Sequence, residues 1–123
     1  MRYIMLVYET SADIDRRDEP AGDSYIAAWR AYHKALVEAD VFVVGAPLKH
    51  AATATTVRLR EGRPLVQDGP FAEAKEELGG FFIVELPSLD AALEWAARCP
   101  AAAAGALEVR PVDVDMYETV VRP

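Results

Sequence analysis

The stretch GGFFIVEL, residues 79–86, is the segment that most clearly decides the fold class of this 123-residue chain. Its continuous aliphatic and aromatic run, which stops at Pro87, is typical of a buried strand. Ser88 follows as a helix cap, and residues 89–98 have the apolar spacing of an amphipathic helix. A further strand is expected over residues 106–110, so this half of the chain reads strand, helix, strand.

The N-terminal half repeats this order. Residues 2–8 predict a first strand, residues 24–39 a helix, and residues 41–46 a second strand. The apolar stripe of that helix is predicted to contain His33 and to consist of Ile26, Trp29, Leu36 and Val37. Between the first strand and the helix, residues 10–23 are predicted to form a long polar loop.

A hairpin is predicted between the two halves. Residues 53–60 alternate in polarity, and a turn at residues 61–63 joins them to a second short strand at residues 64–67. Asp68-Gly69-Pro70 is a turn signal, and residues 71–78 are expected to form a charged connector with at most one helical turn.

This order predicts an α+β fold of the ferredoxin-like type. Two split βαβ units give an antiparallel sheet with both helices on one face and an extra hairpin, and residues 1–123 are expected to form one domain. Apolar residues alternate along many of the strands, so the second face of the sheet also needs cover. We therefore expect a homodimer in which two sheets pack face to face.

The composition narrows the function classes. Twenty acidic residues against 13 basic ones give a net charge of -7, which argues against a nucleic-acid partner. The single cysteine, Cys99, forms no internal disulfide, and no apolar run is long enough for a membrane span, so we expect a cytoplasmic protein without a membrane partner. His33 and His50 lack metal-ligand spacing and no nucleotide-binding motif occurs, so neither a metal nor a cofactor is expected.

The stretch DGPFAEAKE, residues 68–76, followed by LGGF at 78–81, resembles the DGPF signature of YCII-related proteins. The resemblance extends from Tyr3 to Pro111, although residues 45–49 and 10–22 depart from the pattern. It implies a dimeric α+β barrel with a cleft in which a helix histidine lies near the aspartate of the DGP turn. Some members of the family look like enzymes of small-aromatic breakdown, and members often neighbour sigma factors of the extracytoplasmic type.

His33 and Asp68 are the candidate catalytic residues. A histidine within an apolar stripe needs a hydrogen-bond partner because its desolvation is otherwise uncompensated. In the pairing that the resemblance implies, Asp68 fixes the tautomer of His33, which moves a proton. The alternative is that His33 is a satisfied core histidine and that Asp68 only forms its turn.

Three further residues are candidates for substrate binding. Arg58 is suited to a bidentate pair with an anionic substrate, Lys75 belongs to a connector that closes over a cleft, and Tyr8 ends the first strand at the cleft mouth. Each has a plainer interpretation: a solvated strand residue for Arg58, a solvated face for Lys75, and the edge of the core for Tyr8.

Two hypotheses for the function follow. The first is a cofactor-free enzyme whose His-Asp acid/base pair acts on a small aromatic or anionic metabolite by elimination or isomerisation. The second is a non-catalytic dimer that binds a small molecule or has a regulatory role linked to sigma-factor signalling. The sequence identifies neither the substrate nor the reaction.

Overall fold

The computed structural model describes residues 1–18, 23–72 and 74–113. In chain order the elements are β1 (Arg2–Thr10), α1 (Ser11–Asp15), α2 (Ser24–Glu38), β2 (Phe42–Pro47), β3 (Thr55–Arg60), β4 (Arg63–Asp68), β5 (Glu76–Glu85), α3 (Leu89–Arg98) and β6 (Ala106–Pro111). Short 3-10 turns lie at Arg16–Asp18, Ala51–Thr53 and Pro100–Ala102. Residues 112–121 are also β-prone in sequence, and most of them lie outside the described residues.

Four of these strands form the main sheet, in the order β2-β5-β1-β6, and all neighbouring strands are antiparallel. Both long helices pack on one face of this sheet. The core cluster joins α2, α3 and β1 through Tyr32, Leu36, Ala92, Ala96, Tyr3, Met5 and Val7. The predicted ferredoxin-like α+β fold is therefore confirmed.

The side chains of β1 point alternately to the two faces of the sheet. Its residues beneath the helices are buried: Tyr3, Met5, Val7 and Glu9. The residues between them are half-buried on the other face, where β5 supplies their cross-strand neighbours. We call this second face the open face, and it is formed by Ile4, Leu6, Tyr8, Phe81 and Ile83.

The predicted hairpin is confirmed as a separate two-stranded sheet of β3 and β4. Gly69, at φ 106, turns the chain after β4, and its N–H donates to the Ala54 carbonyl at 2.7 Å. One face of the hairpin is apolar and uncovered in the protomer, since Val57, Leu59 and Val66 are 64%, 65% and 59% exposed. A hairpin of this kind gains little stability without a surface to pack on.

The loop predicted over residues 10–23 is wrong for residues 11–18, which form α1 and a 3-10 turn. The Thr10 hydroxyl accepts a hydrogen bond from the Asp13 N–H at 3.2 Å and caps α1. Ile14 is buried on the inner side of this helix. A Thr followed three residues later by an acidic residue is a helix-start pattern, and it outweighed the polar composition of the segment.

Strand β5 begins at Glu76, three residues before its predicted start, so the connector is shorter than expected. The extension pairs with the end of β1, where Thr10 lies opposite Glu76. The register shifts within this ladder, because Val7 pairs with Gly80 and the next residue of β1 pairs with Leu78. Gly79 is therefore the extra residue of a β-bulge.

The buried stripe of α2 differs from the predicted one by a rotation of the helix. Its buried residues are Tyr25, Tyr32 and Leu36, whereas Val37 is exposed. The two tyrosines face inward because their hydroxyls have partners there; that of Tyr32 donates to the Trp95 carbonyl at 2.7 Å. The prediction that His33 lies within the apolar stripe is wrong, since this side chain is exposed.

Candidate functional site

A cavity of about 500 Å³ lies between α2 and the half of the main sheet formed by β1, β5 and β2. Its volume is in the range of small-molecule sites. Aromatic rings from both sides supply much of its lining: Tyr25, Trp29, Tyr32, Phe42 and Phe82. Such a lining favours a planar, mostly apolar molecule.

One end of the cavity holds a polar cluster, which we call the polar end: Glu9, Arg17 and Tyr25. Glu9 is only 2% exposed. One of its oxygens accepts from Arg17 Nη2 at 2.7 Å, and the other accepts from the Tyr25 hydroxyl at 2.6 Å. A buried carboxylate is tolerated when it is paired and hydrogen-bonded in this way.

The bulge at Gly79 makes room for this cluster. A Cβ atom at residue 79 would overlap Glu9 Oε1 and would lie 3.2 Å from Arg17 Nη2. The Gly79 carbonyl accepts a second hydrogen bond from Arg17 Nη2 at 2.7 Å, and the other amino group of Arg17 donates to the Leu48 carbonyl. Arg17 thus joins the 3-10 turn that carries it to the sheet.

Three buried groups, the hydroxyls of Tyr25 and Tyr32 and the thiol of Cys99, stay in their neutral forms at neutral pH. Burial, together with the hydrogen bond to Glu9, raises the pKa of Tyr25. Burial likewise raises the pKa of Tyr32, and it raises that of Cys99 to about 12. Cys99 is therefore not an activated nucleophile.

The solvent side of the cavity is bordered by a second row of α2 residues, which we call the rim stripe: Ile26, Arg30 and His33. Their spacing of four and three residues places them along one line of the helix. Arg30 and His33 are exposed. The His33 ring stands edge-on to the Phe42 ring, with centroids 4.8 Å apart and an interplanar angle of 86°. An imidazole therefore stands at the entrance to an aromatic cavity.

The structure does not bring Asp68 to His33 within the protomer. Asp68 is exposed at the end of β4, opposite Thr55. Within the described part of the chain, no hydrogen bond or ion pair joins it to His33. Their pairing stays a prediction.

The three predicted substrate-binding residues do not line this cavity. Tyr8 lies on the open face, and Lys75 is exposed just before β5. The Arg58 guanidinium stacks over the Phe71 ring, 4.7 Å from its centroid, beside the hairpin. Their roles in binding therefore also stay predictions.

The polar end was not predicted as a unit. Its signal for Glu9 is present in the sequence, because a period of two places this carboxylate on the same face as Met5 and Val7. Nothing comparable marks Arg17, which lies in the segment that the sequence predicted as loop. Its pairing with Glu9 depends on a tertiary contact.

Among the described residues, no group of three or more His, Cys, Asp or Glu side chains is placed to hold a metal ion. None of the helices described is long and apolar enough to cross a membrane.

Comparison with known proteins adds a family and a fold. A family model described as the YCII-related domain matches residues 1–114. An uncharacterized protein of Rhizobium meliloti (strain 1021) is 38% identical over 118 residues, which cover 91% of this chain and 92% of that protein. Among solved structures, 5-chloro-2-hydroxyhydroquinone dehydrochlorinase from Burkholderia phenoliruptrix AC1100, in complex with 2,5-dihydroxybenzoquinone, matches with a TM-score of 0.55 and 20% identity, over 97% of this chain and 100% of that one. The similarity to this solved structure shows that the two proteins share a fold.

Proposed function

The chain belongs to the YCII-related family, and from that premise we propose that it is a cofactor-free enzyme that binds a small aromatic or anionic molecule and uses His33 to move a proton. The observation that carries the proposal is the aromatic cavity with an imidazole at its entrance. Imidazole is the side chain best suited to take up and return a proton near neutral pH. The raised pKa values of Tyr25 and Tyr32 make these hydroxyls poorer acids.

The reaction class in the proposal is elimination or isomerisation driven by proton transfer. The dehydrochlorinase of similar fold is named for a chlorinated aromatic compound, and this supports the proposal of an aromatic substrate. The first substrates to test are therefore chlorinated hydroxyhydroquinones, whose net loss of HCl releases chloride. Asp68 is included as the partner of His33, which requires the hairpin to approach α2 in the ligand-bound or assembled protein.

Binding in the cavity is tested with a variant that fills it. Ile26→Trp, on the rim stripe, is expected to weaken binding of 2,5-dihydroxybenzoquinone at least tenfold, because a larger ring occupies the space of the ligand. Isothermal titration calorimetry measures the change. Ala27→Trp is the matched control, since Ala27 is exposed and is not among the lining residues. Equal affinity in the two variants would show that the ligand binds elsewhere.

We also propose that the protein is a homodimer in which a second copy covers the open face. Ile83 lies near the centre of this face, paired with Ile4 on β1 and Val44 on β2. The exposed apolar face of the hairpin adds to the surface that would gain from a partner. In the proposed dimer, the two copies are related by the two-fold symmetry that is usual for soluble homodimers.

Ile83→Lys is expected to convert the dimer to monomer, because it places an unpaired ammonium group in an apolar interface. Sedimentation equilibrium measures the mass. Leu93→Lys, an equal change at an exposed position of α3, is expected to remain dimeric. A wild-type monomer, or a dimer that survives Ile83→Lys, would contradict the proposed interface.

The alternative function is a non-catalytic small-molecule-binding or regulatory dimer. It is favoured by the absence, among the described residues, of a hydrogen bond or ion pair that orients the His33 ring. Ligand-dependent stabilisation without turnover of any test substrate would support it.

A further inference from the structure

The two sides of the cavity differ in charge. At the polar end, Arg17 and Glu9 form an ion pair, so their charges offset each other. At the rim stripe, Arg30 carries a positive charge and has no ion pair with any described residue. Glu9 is the only carboxylate among the described residues that line the cavity. A negative group on a ligand is therefore favoured at the rim and not at the polar end.

The Tyr25 hydroxyl determines what the polar end accepts. Its single proton is donated to Glu9 Oε2 at 2.6 Å, which leaves only acceptor capacity on its oxygen. Burial and the contact with Glu9 raise its pKa, so the proton stays in place. A ligand hydroxyl can donate to this oxygen, whereas a ligand carboxylate or carbonyl can not.

The two sides lie far enough apart for a single ring between them. Tyr25 and Arg30 are five residues apart on α2, which is a rise of about 7.5 Å along the helix axis and a turn of about 140° around it. One benzene ring with a substituent at each end fits within this separation. Trp29 and Phe82 provide aromatic surface between the two sides.

We propose that the cavity selects a hydroxylated aromatic monoanion and holds it in one orientation, with the ring hydroxyl donating to Tyr25 and the negative group beside Arg30 and His33. This proposal rests on the proposed function and names the ligand class of the same cavity. It makes Tyr25 and Arg30 the residues that determine specificity.

The test compares three probes by isothermal titration calorimetry on the full chain: 4-hydroxybenzoate, benzoate and phenol. The wild-type protein is expected to bind 4-hydroxybenzoate about tenfold more tightly than either analogue, since each analogue lacks one contact. Tyr25→Phe removes the advantage over benzoate, and Arg30→Gln removes the advantage over phenol. Lys34→Gln, an exposed change on the same helix away from the cavity, keeps both preferences.

The outcomes separate this inference from the proposed function. Binding of the probes without discrimination, or a hydroxyl preference that survives in a folded Tyr25→Phe protein, overturns the inference and leaves an aromatic site. Failure of all three probes to bind overturns the inference, whereas binding of 2,5-dihydroxybenzoquinone that Ile26→Trp weakens keeps the proposed function. Circular dichroism verifies the fold of Tyr25→Phe, and Arg30→Gln, an exposed substitution, tests the second contact on its own. A preference for 4-hydroxybenzoate over phenol that survives in Arg30→Gln also overturns the inference.

Discussion

Replacement of Arg17 by methionine is expected to lower the free energy of unfolding by about 3 kcal/mol, because it leaves the Glu9 carboxylate buried without its counter-ion. The loss includes the hydrogen bond from Arg17 to the Gly79 carbonyl, which ties the segment after α1 to β5. Urea denaturation of the wild type and the variant measures the difference. This is the largest stability effect that we expect from a single surface-proximal side chain of this protein.

The neighbouring residue provides the matched control. Arg16 also forms ion pairs, with Asp13 at 3.5 Å and Asp23 at 3.3 Å, but both of these carboxylates are more exposed than that of Glu9, and the Arg16 side chain is 37% exposed. Arg16→Met is therefore expected to cost much less than Arg17→Met. Glu9→Gln combined with Arg17→Met should recover part of the loss, because a neutral amide needs no counter-ion. Similar unfolding curves for the two single variants would mean that the Glu9 pair contributes no special stability.

His33→Ala is expected to reduce turnover by a factor of about 100 or more, since loss of a positioned general acid or base has an effect of that size. Chloride release from the chlorinated hydroxyhydroquinones measures kcat and KM. Because His33 is exposed at the rim and packs against Phe42 only by its ring edge, the variant should fold normally. A fall in kcat with little change in KM would identify a role in the chemical step.

Two further variants show whether this effect is specific to His33 and whether it depends on Asp68. Lys34→Ala, at the next residue of α2 and outside the cavity lining, should retain wild-type kinetics. Asp68→Asn should lower kcat only if the hairpin reaches His33, and it therefore tests the predicted pair directly. Unchanged turnover in His33→Ala would exclude His33 as the proton carrier, and binding without any turnover in the wild type would favour the non-catalytic alternative.

The fold followed from the sequence because hydrophobic periodicity determines it. The run at 79–86 and the alternation along β1 specify buried strands, and Ser88 caps α3 as the sequence predicts. The sequence allows either Asp23 or Ser24 to cap α2, and in the structure Asp23 does so. The register of α2 was harder to predict. A tyrosine has both an apolar ring and a polar hydroxyl, so its type does not indicate whether it is buried. The tyrosines of α2 point inward because their hydroxyls bind Glu9 and the Trp95 carbonyl, which lie far away in the chain.

The site followed from the sequence only in part. His33 lies beside the cavity, although on its exposed side. Local patterns cannot identify the polar end, because the Glu9–Arg17 contact arises when the segment after β1 folds back over the sheet. Nor do local patterns relate Asp68 to His33, because Asp68 lies at the end of β4 in a hairpin that forms a sheet of its own.

The bulge at Gly79 has a consequence for how related sequences can diverge. The space that a side chain would occupy there is filled by the Glu9 carboxylate, so the two positions cannot change independently. A lineage that acquires any larger residue at 79 should already have lost the acidic residue at 9. Without that carboxylate, a basic residue at 17 is no longer needed as its counter-ion. In an alignment of relatives, these three columns should covary although they lie far apart in the chain.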